Sequence, residues 1–206
     1  MLYTLCLARN NPYANTGMAH PPDEVSKEWG KVFSEEIFAQ YGVKWVVYCD
    51  ATWANEEYFV FGINTYKDIP ARIAHWKEIE KAAWYQYIDL LTLMGTSDQE
   101  PQLPTFPNPI YQLFMIRNDP ATAANLARET KEEAATRQEK WNESYKRTGA
   151  CTVLVCDSYW ANEDYLGFGV LAFPSVEARQ AHAKDLLEMH WNQYYSAFTL
   201  LGIPRA

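Results

Sequence analysis

The chain lacks the features by which several functional classes are recognised. Its net charge is −8, from 18 Lys and Arg against 26 Asp and Glu, so the basic face that nucleic-acid binding requires is not expected. No apolar run approaches the roughly 20 residues that span a bilayer. The P-loop, the G-x-G-x-x-G fingerprint and the G-x-S-x-G elbow are all missing. We therefore predict neither nucleic acid nor membrane as a partner, and no bound nucleotide.

Cysteine and histidine are also scarce. The four cysteines form no C-x-x-C pair, and the simplest interpretation is a set of reduced thiols in a cytoplasmic protein. Four histidines are present, and His182 and His190 are eight residues apart, which is too far for an i, i+4 metal-binding pair on a helix. We therefore predict a cytoplasmic protein without a metal site.

What the chain does contain is an internal repeat. The segment from Cys49 to Tyr58 recurs from Cys156 to Tyr165, and residues 42–96 match 149–203 at 22 of 55 positions. A second match, shifted by one residue, pairs Leu2–Pro12 with Ile110–Pro120 at 5 of 11 positions. The sequence therefore predicts a first repeat over 1–97, a proline-rich linker over 98–108 and a second repeat over 109–206.

Each repeat has the same predicted order of elements. Leu2–Ala8 alternates like a strand, and apolar residues at helical spacing predict one helix over about 22–41, matched by one over about 121–147. Gly42 and Gly149 follow these helices as caps. Two strands, a helix over about 68–84 and a strand near 87–94 complete a ferredoxin-like β-α-β-β-α-β unit. Because both faces of its strands are apolar, we predict an α+β protein in which the two sheets pack together.

This arrangement resembles the dimeric α/β-barrel superfamily, with two tandem units fused in one chain. The resemblance rests on the element order and on the Ala-x-x-Ala-His helix that occurs in both repeats. It implies a barrel built from two ferredoxin-like units. It also implies one of several activities, since the superfamily includes cofactor-free monooxygenases, isomerases, cyclases, haem-degrading enzymes, haem peroxidases and stress-induced proteins.

Two histidines are the first candidates for catalysis. His75 and His182 each lie in an Ala-Arg-x-Ala-His-x-Lys segment, on a helix face that is otherwise apolar and should face the sheet. Imidazole is the natural acid–base group near neutral pH. Because Ala183 and Gly167 replace larger residues of the first repeat, we favour the His182 site, although such changes also occur when a core repacks.

The end of the first strand of each repeat supplies further candidates. Arg9 and Asn10 recur as Arg117 and Asn118, and these side chains could clamp a carboxylate and orient a carbonyl. In haem-degrading relatives, an Asn on the first strand acts with a His on the second helix, so the resemblance implies two pairs, Asn10 with His75 and Asn118 with His182. The tryptophan that completes that set is missing from both repeats. The alternative is that Asn10 and Asn118 only belong to turns.

Substrate-binding candidates come from the repeated turn and from the end of the second helix. We predict a polar lip with an aromatic lid from Asp50, Asp157, Trp53 and Trp160, with pocket-lining roles for Tyr87 and Tyr194. The turn residues have an alternative role in bonding backbone amides, and the tyrosines in core packing.

Three functions remain open on this evidence. The first is binding of a small apolar or aromatic molecule in a barrel pocket, as in a cofactor-independent monooxygenase, isomerase or cyclase, with no cofactor. The second is haem binding with a helix histidine as axial ligand. The third is a non-catalytic ligand-binding or stress-type protein. The fused units form an intramolecular pseudo-dimer, so either a monomer or a further homo-oligomer is compatible with the sequence.

Overall fold

The computed structural model describes residues 1–11 and 21–205, which form two similar units in tandem. In the first unit, β1 (Leu2–Asn10), α1 (Asp23–Val32), α2 (Glu35–Tyr41), β2 (Lys44–Asp50), β3 (Val60–Tyr66), α3 (Ile69–Lys81) and β4 (Ile88–Thr96) follow one another. The second unit consists of β5 (Ile110–Arg117), α4 (Pro120–Arg128), α5 (Lys131–Thr148), β6 (Cys151–Asp157), β7 (Tyr165–Phe173), α6 (Val176–Glu188) and β8 (Ala197–Pro204). A short 3-10 turn precedes β4 and another precedes β8.

The eight strands close into one antiparallel barrel in the order β1-β3-β2-β8-β5-β7-β6-β4. Within each unit the order is that of a ferredoxin-like sheet, so the predicted α+β tandem duplication is confirmed. Few residue pairs join the two sheets along their edges. Cys49 and Asp50 pair with β8, and Thr96 pairs with Asp157. The union of the two sheets therefore depends mainly on side chains inside the barrel.

The barrel interior is packed with apolar side chains from both units. Tyr3, Leu5 and Leu7 of β1 point inward, because alternate residues of a strand share one face, and Leu113 and Met115 do the same from β5. These side chains belong to one continuous core, and each is at most 1% exposed. The centre of the barrel is therefore a core, and the pocket predicted there lies elsewhere.

Two phenylalanines cross between the units at glycines that recur in the repeat. A Cβ added to Gly202 would lie 2.6 Å from the ring of Phe61, and one added to Gly95 would lie 2.8 Å from the ring of Phe168. Both phenylalanine rings are fully buried. Each unit thus provides a ring that fits against a glycine of the other unit.

The first helical region of each unit is divided in two, so the prediction of single helices over 22–41 and 121–147 was wrong. Ser34 caps α2 by accepting a hydrogen bond from the backbone N–H of Ile37. Thr130 and Glu133 form a reciprocal capping box that begins α5, and Glu129 has an extended backbone. These capping residues start a new helix at the point where the apolar periodicity alone suggests continuation. Gly42 and Gly149 do adopt the left-handed conformation predicted for caps, with φ of 67° and 69°.

The proline-rich segment between β4 and β5 lies against the second unit. The backbone N–H of Gln102 donates to the carbonyl of Val153 over 2.8 Å, and Phe106 packs on the barrel core. The proposed boundaries at 97, 98–108 and 109 remain a prediction. Within the described ranges, no helix has both the length and the apolar character needed to cross a membrane.

Replacing Gly202 by alanine tests the contacts between the units. We expect G202A to lower the free energy of unfolding by about 1–3 kcal/mol, because the added methyl group would overlap the ring of Phe61. Gly30 in α1 provides the control, since an added Cβ there meets nothing within 4 Å, and G30A should be neutral or stabilising by up to about 1 kcal/mol. Urea unfolding of both variants measures the difference. Equal stabilities would show that the contact with Phe61 does not constrain the fold.

Candidate functional site

Two cavities lie outside the barrel, each between the sheet and the helices of one unit. The second-unit cavity has a volume of about 700 Å³ and is lined by residues of α4–α6, β5–β8 and the 3-10 turn before β8. The first-unit cavity has a volume of about 330 Å³ and a more apolar lining. Both volumes fall within the roughly 300–1,000 Å³ typical of small-molecule sites. His182 lines the larger cavity and His75 the smaller one.

His182 is fully buried and is held from behind by a chain of polar groups. Its Nδ1 atom lies 2.8 Å from the hydroxyl of Ser144 on α5. That hydroxyl donates a hydrogen bond to the carboxylate of Asp185, which also forms an ion pair with Arg147. Among the described residues, the opposite ring nitrogen, Nε2, has no hydrogen-bond partner.

The hydrogen bonds determine the tautomer of His182. Ser144 has one hydroxyl proton and gives it to Asp185, which as a carboxylate only accepts, so Ser144 must accept from Nδ1–H of the imidazole. The lone pair therefore lies on Nε2. Burial, with a further contribution from the positive charge of Arg179, lowers the pKa of His182 to about 4, so the ring is neutral at pH 7.

His75 occupies the equivalent position, but both of its ring nitrogens are bonded. The carbonyl of Val32 can only accept, so Nε2–H donates to it over 2.9 Å, and Nδ1 accepts from the hydroxyl of Tyr66, also at 2.9 Å. Burial also lowers the pKa of His75. This histidine connects α1, α3 and β3, and it has no lone pair left for a ligand.

The difference between the two histidines follows from a few substitutions between the repeats. Phe173 stands where the first unit has Tyr66, so His182 has no hydroxyl partner on that strand. In the first unit, Trp76 stacks on Tyr85 with ring centroids 5.7 Å apart. Ala183 and Asn192 stand at the matching positions of the second repeat, and the loss of two large rings is consistent with the larger cavity there.

Two further buried polar groups that line the second-unit cavity have no hydrogen-bond partner among the described residues. They are the side-chain carbonyl oxygen of Gln112, a residue 4% exposed, and the Nε atom of Arg179. Buried polar atoms are normally hydrogen-bonded, so three orphaned atoms on one cavity indicate a site for a polar or metal-containing ligand. Sequence reasoning missed Gln112, Arg179 and Ser144, although Arg179 belongs to the repeated Ala-Arg-x-Ala-His segment.

One wall of this cavity is a stack of aromatic rings. Trp141 lies 4.4 Å from Trp191, which lies 4.1 Å from Tyr195, as measured between ring centroids. Arg137 covers the stack and binds Glu129 through two hydrogen bonds of 2.7 and 2.8 Å. Because this ion pair is largely buried, it holds the wall in place and leaves the cavity pre-formed.

The structure does not bring the predicted asparagine–histidine pairs together. Asn10 and Asn118 are exposed at the ends of their strands, and neither lines a histidine cavity. Asn118 donates to the carbonyl of Glu163 over 3.1 Å. Arg9 is tied to Glu57 and to Asp89, and Arg117 is exposed at the surface. Strand β1 carries Arg9 and Asn10 past the last cavity-lining residue, Ala8, which explains the separation.

The residues predicted as a polar lip also lie away from both cavities. Asp50 accepts two hydrogen bonds from Thr52, as in a local turn. Asn55 accepts from two backbone N–H groups of its own turn, and Asn162 does the same. The remaining predicted members are exposed and line neither cavity: Trp53, Trp160 and Asp157. This segment recurs because its turn recurs.

At the end of the second helix, Trp84 and Trp191 line the cavities, whereas the predicted Tyr87 and Tyr194 do not. Tyr87 packs against Trp29 with ring centroids 5.7 Å apart, and Tyr194 lies beneath Arg137, so neither lines a histidine cavity. Trp84 and Trp191, which precede them, do. The turn before the last strand directs the first of its aromatic residues inward.

Comparison with known proteins gives structural matches only. No family model matches the chain, and no curated protein matches it in sequence. An arginine-to-alanine variant of chlorite dismutase from Candidatus Nitrospira defluvii is similar in structure, with a TM-score of 0.71 and 9% identity over 100% of this chain and 91% of that one. The same enzyme in complex with imidazole matches with a TM-score of 0.70 and 9% identity, over 100% and 91% of the two chains. At this identity the similarity establishes the fold.

These neighbours correct the prediction that no cofactor is involved. Those chlorite dismutase-like neighbours are haem-binding proteins, and this finding contradicts the expectation of a site without a cofactor. Haem was only an alternative on the sequence, because the tryptophan that completes the set in haem-degrading members of the superfamily is missing from both repeats.

The lowered pKa of His182 predicts a specific loss of stability in mild acid. The unfolded chain binds a proton as the pH falls through 6.5, whereas the folded chain resists protonation down to about pH 4, so acid favours unfolding in this interval. Between pH 7 and pH 5 we expect His182 to account for about 2 kcal/mol of the decrease in unfolding free energy. Urea unfolding of the wild type and of His182→Leu at both pH values measures this share. An identical pH dependence in the two proteins would show that His182 titrates normally.

Proposed function

We propose that the protein binds haem in the second-unit cavity, with Nε2 of His182 as the axial ligand. The observation that carries the proposal is the orphaned Nε2 atom on the cavity wall, whose lone pair is fixed by the hydrogen bonds of Ser144 and Asp185. Histidines that bind metals typically donate their other N–H to a protein acceptor, as His182 does to Ser144. The structural similarity to chlorite dismutases supports the same function.

The other residues of the cavity fit a porphyrin. The stacked rings of Trp141, Trp191 and Tyr195 offer an apolar wall for a flat macrocycle. Arg179 lines the same cavity and would neutralise a propionate carboxylate, for which its unbonded Nε–H is available. The neutral state of His182 means that no proton has to be displaced at pH 7 before it binds iron.

Bound haem would supply redox chemistry at its iron, and the protein would control it through its own side chains. Ser144 would accept a hydrogen bond from Nδ1–H of His182 and donate its own proton to Asp185, and this chain would raise the basicity of the imidazole. Gln112 presents an acceptor on β5 that can orient a ligand with an N–H or O–H group. These roles predict a haem protein with one protein ligand, and they leave its substrate open.

A haem titration of the purified protein tests the proposal. We expect a saturable Soret band with one haem per chain in the wild type, and its loss or a shift to a weakly bound form in His182→Gly, because the Nε2 ligand is gone. Added imidazole should restore the band in His182→Gly by occupying the space of the missing side chain. The titration is followed by absorbance from about 350 to 700 nm, where porphyrins absorb.

His75→Ala is the matched control, since it makes a similar change at the equivalent position of the first unit. Its haem affinity should equal that of the wild type, provided that circular dichroism and a thermal melt show it to be folded. The proposal is contradicted if the wild type gives no saturable band, or if His182→Gly binds haem with unchanged affinity and spectrum.

Replacing Ser144 by alanine tests how His182 is positioned. Removing the hydroxyl leaves Nδ1–H without its acceptor, so we expect S144A to bind haem roughly 10–100-fold more weakly. The less basic imidazole should also raise the Fe(III)/Fe(II) reduction potential. Ser158→Ala is the control, because it removes a buried hydroxyl that bonds only the carbonyl of Tyr165. Equal potentials in S144A and the wild type would exclude the hydrogen bond as a determinant of the site.

A further inference from the structure

We propose that the first-unit cavity is a separate binding site for an uncharged hydroxylated aromatic molecule, of the size of a phenol or naphthol. It lies between the first sheet and helices α1–α3, and none of its described lining residues also lines the second-unit cavity. The proposal does not depend on haem binding, because it concerns a different cavity in the other unit.

The lining of this cavity selects against charged ligands. Among the described residues its lining contains no Asp, Glu, Lys or Arg, and its histidine is neutral and bonded through both nitrogens. An ion placed here would lose its hydration without gaining a counter-charge from these lining residues, and Arg72, which lies over Trp76 outside the lining, donates to Thr4. The described wall carries seven Phe, Tyr and Trp rings: Phe33, Phe38, Trp45, Tyr48, Tyr66, Trp76 and Trp84. Such a wall suits a flat ring, which packs in edge-to-face or offset geometry.

Three polar atoms on the wall call for a ligand that can donate or accept hydrogen bonds. The side-chain carbonyl oxygen of Asn64 is an acceptor, Nε1–H of Trp84 and Nε1–H of Trp76 are donors, and within the described residues none of the three has a hydrogen-bond partner. Asn64 is only 4% exposed, so its oxygen is shielded from solvent by the fold. A hydroxyl group can donate to Asn64 or accept from a tryptophan N–H of this wall, whereas a hydrocarbon can do neither.

The size and the entrance of the cavity are consistent with one or two rings. An apolar cavity of about 150 Å³ is sufficient to bind benzene, and this one measures about 330 Å³. Trp45 and Tyr48 of β2 line the cavity, and their ring centroids are 4.9 Å apart. Each of these residues is 37% exposed, so the pair borders the solvent. Trp76 limits the depth of the first-unit cavity. Ala183 stands at the matching position of the second unit, which has the larger cavity.

The comparison between the repeats also argues that Asn64 is there for a ligand. The matching residue of the second unit is Leu171, which packs on its cavity without any hydrogen-bonding requirement. The fold therefore tolerates leucine at this position of β3. Burying an amide oxygen without a hydrogen-bond partner costs free energy, and leucine avoids this cost. A bound ligand that donates a hydrogen bond to Asn64 would offset it.

Calorimetric titration with 2-naphthol tests the proposal, with naphthalene as the ligand that lacks the hydroxyl group. We expect saturable binding of one 2-naphthol per chain, and weaker binding of naphthalene. Asn64→Leu should weaken 2-naphthol roughly tenfold and leave naphthalene unchanged or slightly tighter, because only the hydroxyl loses its acceptor. Trp84→Phe, which keeps a ring but removes the donor, provides a second variant should Asn64→Leu not fold.

Two further variants locate the site. Trp76→Ala copies the second repeat and should admit 1-hydroxypyrene, which the wild-type cavity is too small to hold. His182→Ala alters only the other cavity, so it should bind 2-naphthol as the wild type does while losing haem. Absence of saturable 2-naphthol binding would overturn the proposal. So would binding that survives in both Asn64→Leu and Trp84→Phe but is lost in His182→Ala.

Discussion

The contact between the inner faces of the two sheets governs the rest of this structure. Each unit covers one face of its sheet with helices and leaves the other face apolar, and these two remaining faces cover each other inside the barrel. Phe61 and Phe168 cross into the opposite unit, where Gly202 and Gly95 leave room for their rings. Since edge pairing between the sheets is short, this packing is what makes one protein of two units. It also fills the barrel, and the two histidine cavities lie on the outer faces, beneath the helices.

That constraint explains why the chain has two comparable cavities, one in each unit. Duplication within one chain then allows them to differ, which identical subunits of a dimer cannot do. The equivalent helices α3 and α6 present His75 to the first-unit cavity and His182 to the second-unit cavity. The first is bonded to Tyr66 and Val32 and serves the fold, and the second keeps a free lone pair. Part of this difference arises because, among the described residues, no carbonyl bonds Nε2 of His182 as that of Val32 bonds Nε2 of His75, while Ser144 replaces Tyr66 as the partner of Nδ1.

The length of α5 is a further cause of the difference between the two cavities. With 18 residues α5 begins earlier than its counterpart α2, which has 7, and so it brings Trp141 and Arg137 to the aromatic wall, while Ser144 stands where α2 has Ile37. The second unit thereby acquires a rigid aromatic wall and a polar support for its histidine. The first unit fills the comparable space with Trp76 and Tyr85, and what remains is a smaller, uncharged cavity. The two sites therefore suit different ligand chemistries within one fold.

The sequence by itself determined the duplication, the ferredoxin-like unit and the packing of two sheets. These properties depend on patterns that recur locally, such as alternating strands, the Gly42 and Gly149 caps and the repeated histidine helix. The repeat also drew attention to residues that recur for structural reasons, including Asn55 and Asn162, whose oxygens hold the turn.

Only the tertiary structure decided which of the two repeated histidines has both ring nitrogens bonded and which leaves one without a partner among the described residues. The hydrogen-bonding state of an imidazole depends on groups distant in the chain: Ser144 lies 38 residues from His182, and Val32 lies 43 residues from His75. Gln112, Arg179 and Asn64 become notable only once they are buried against a cavity without partners. Such a deficit arises from the whole packing around an atom, and no spacing along the sequence records it.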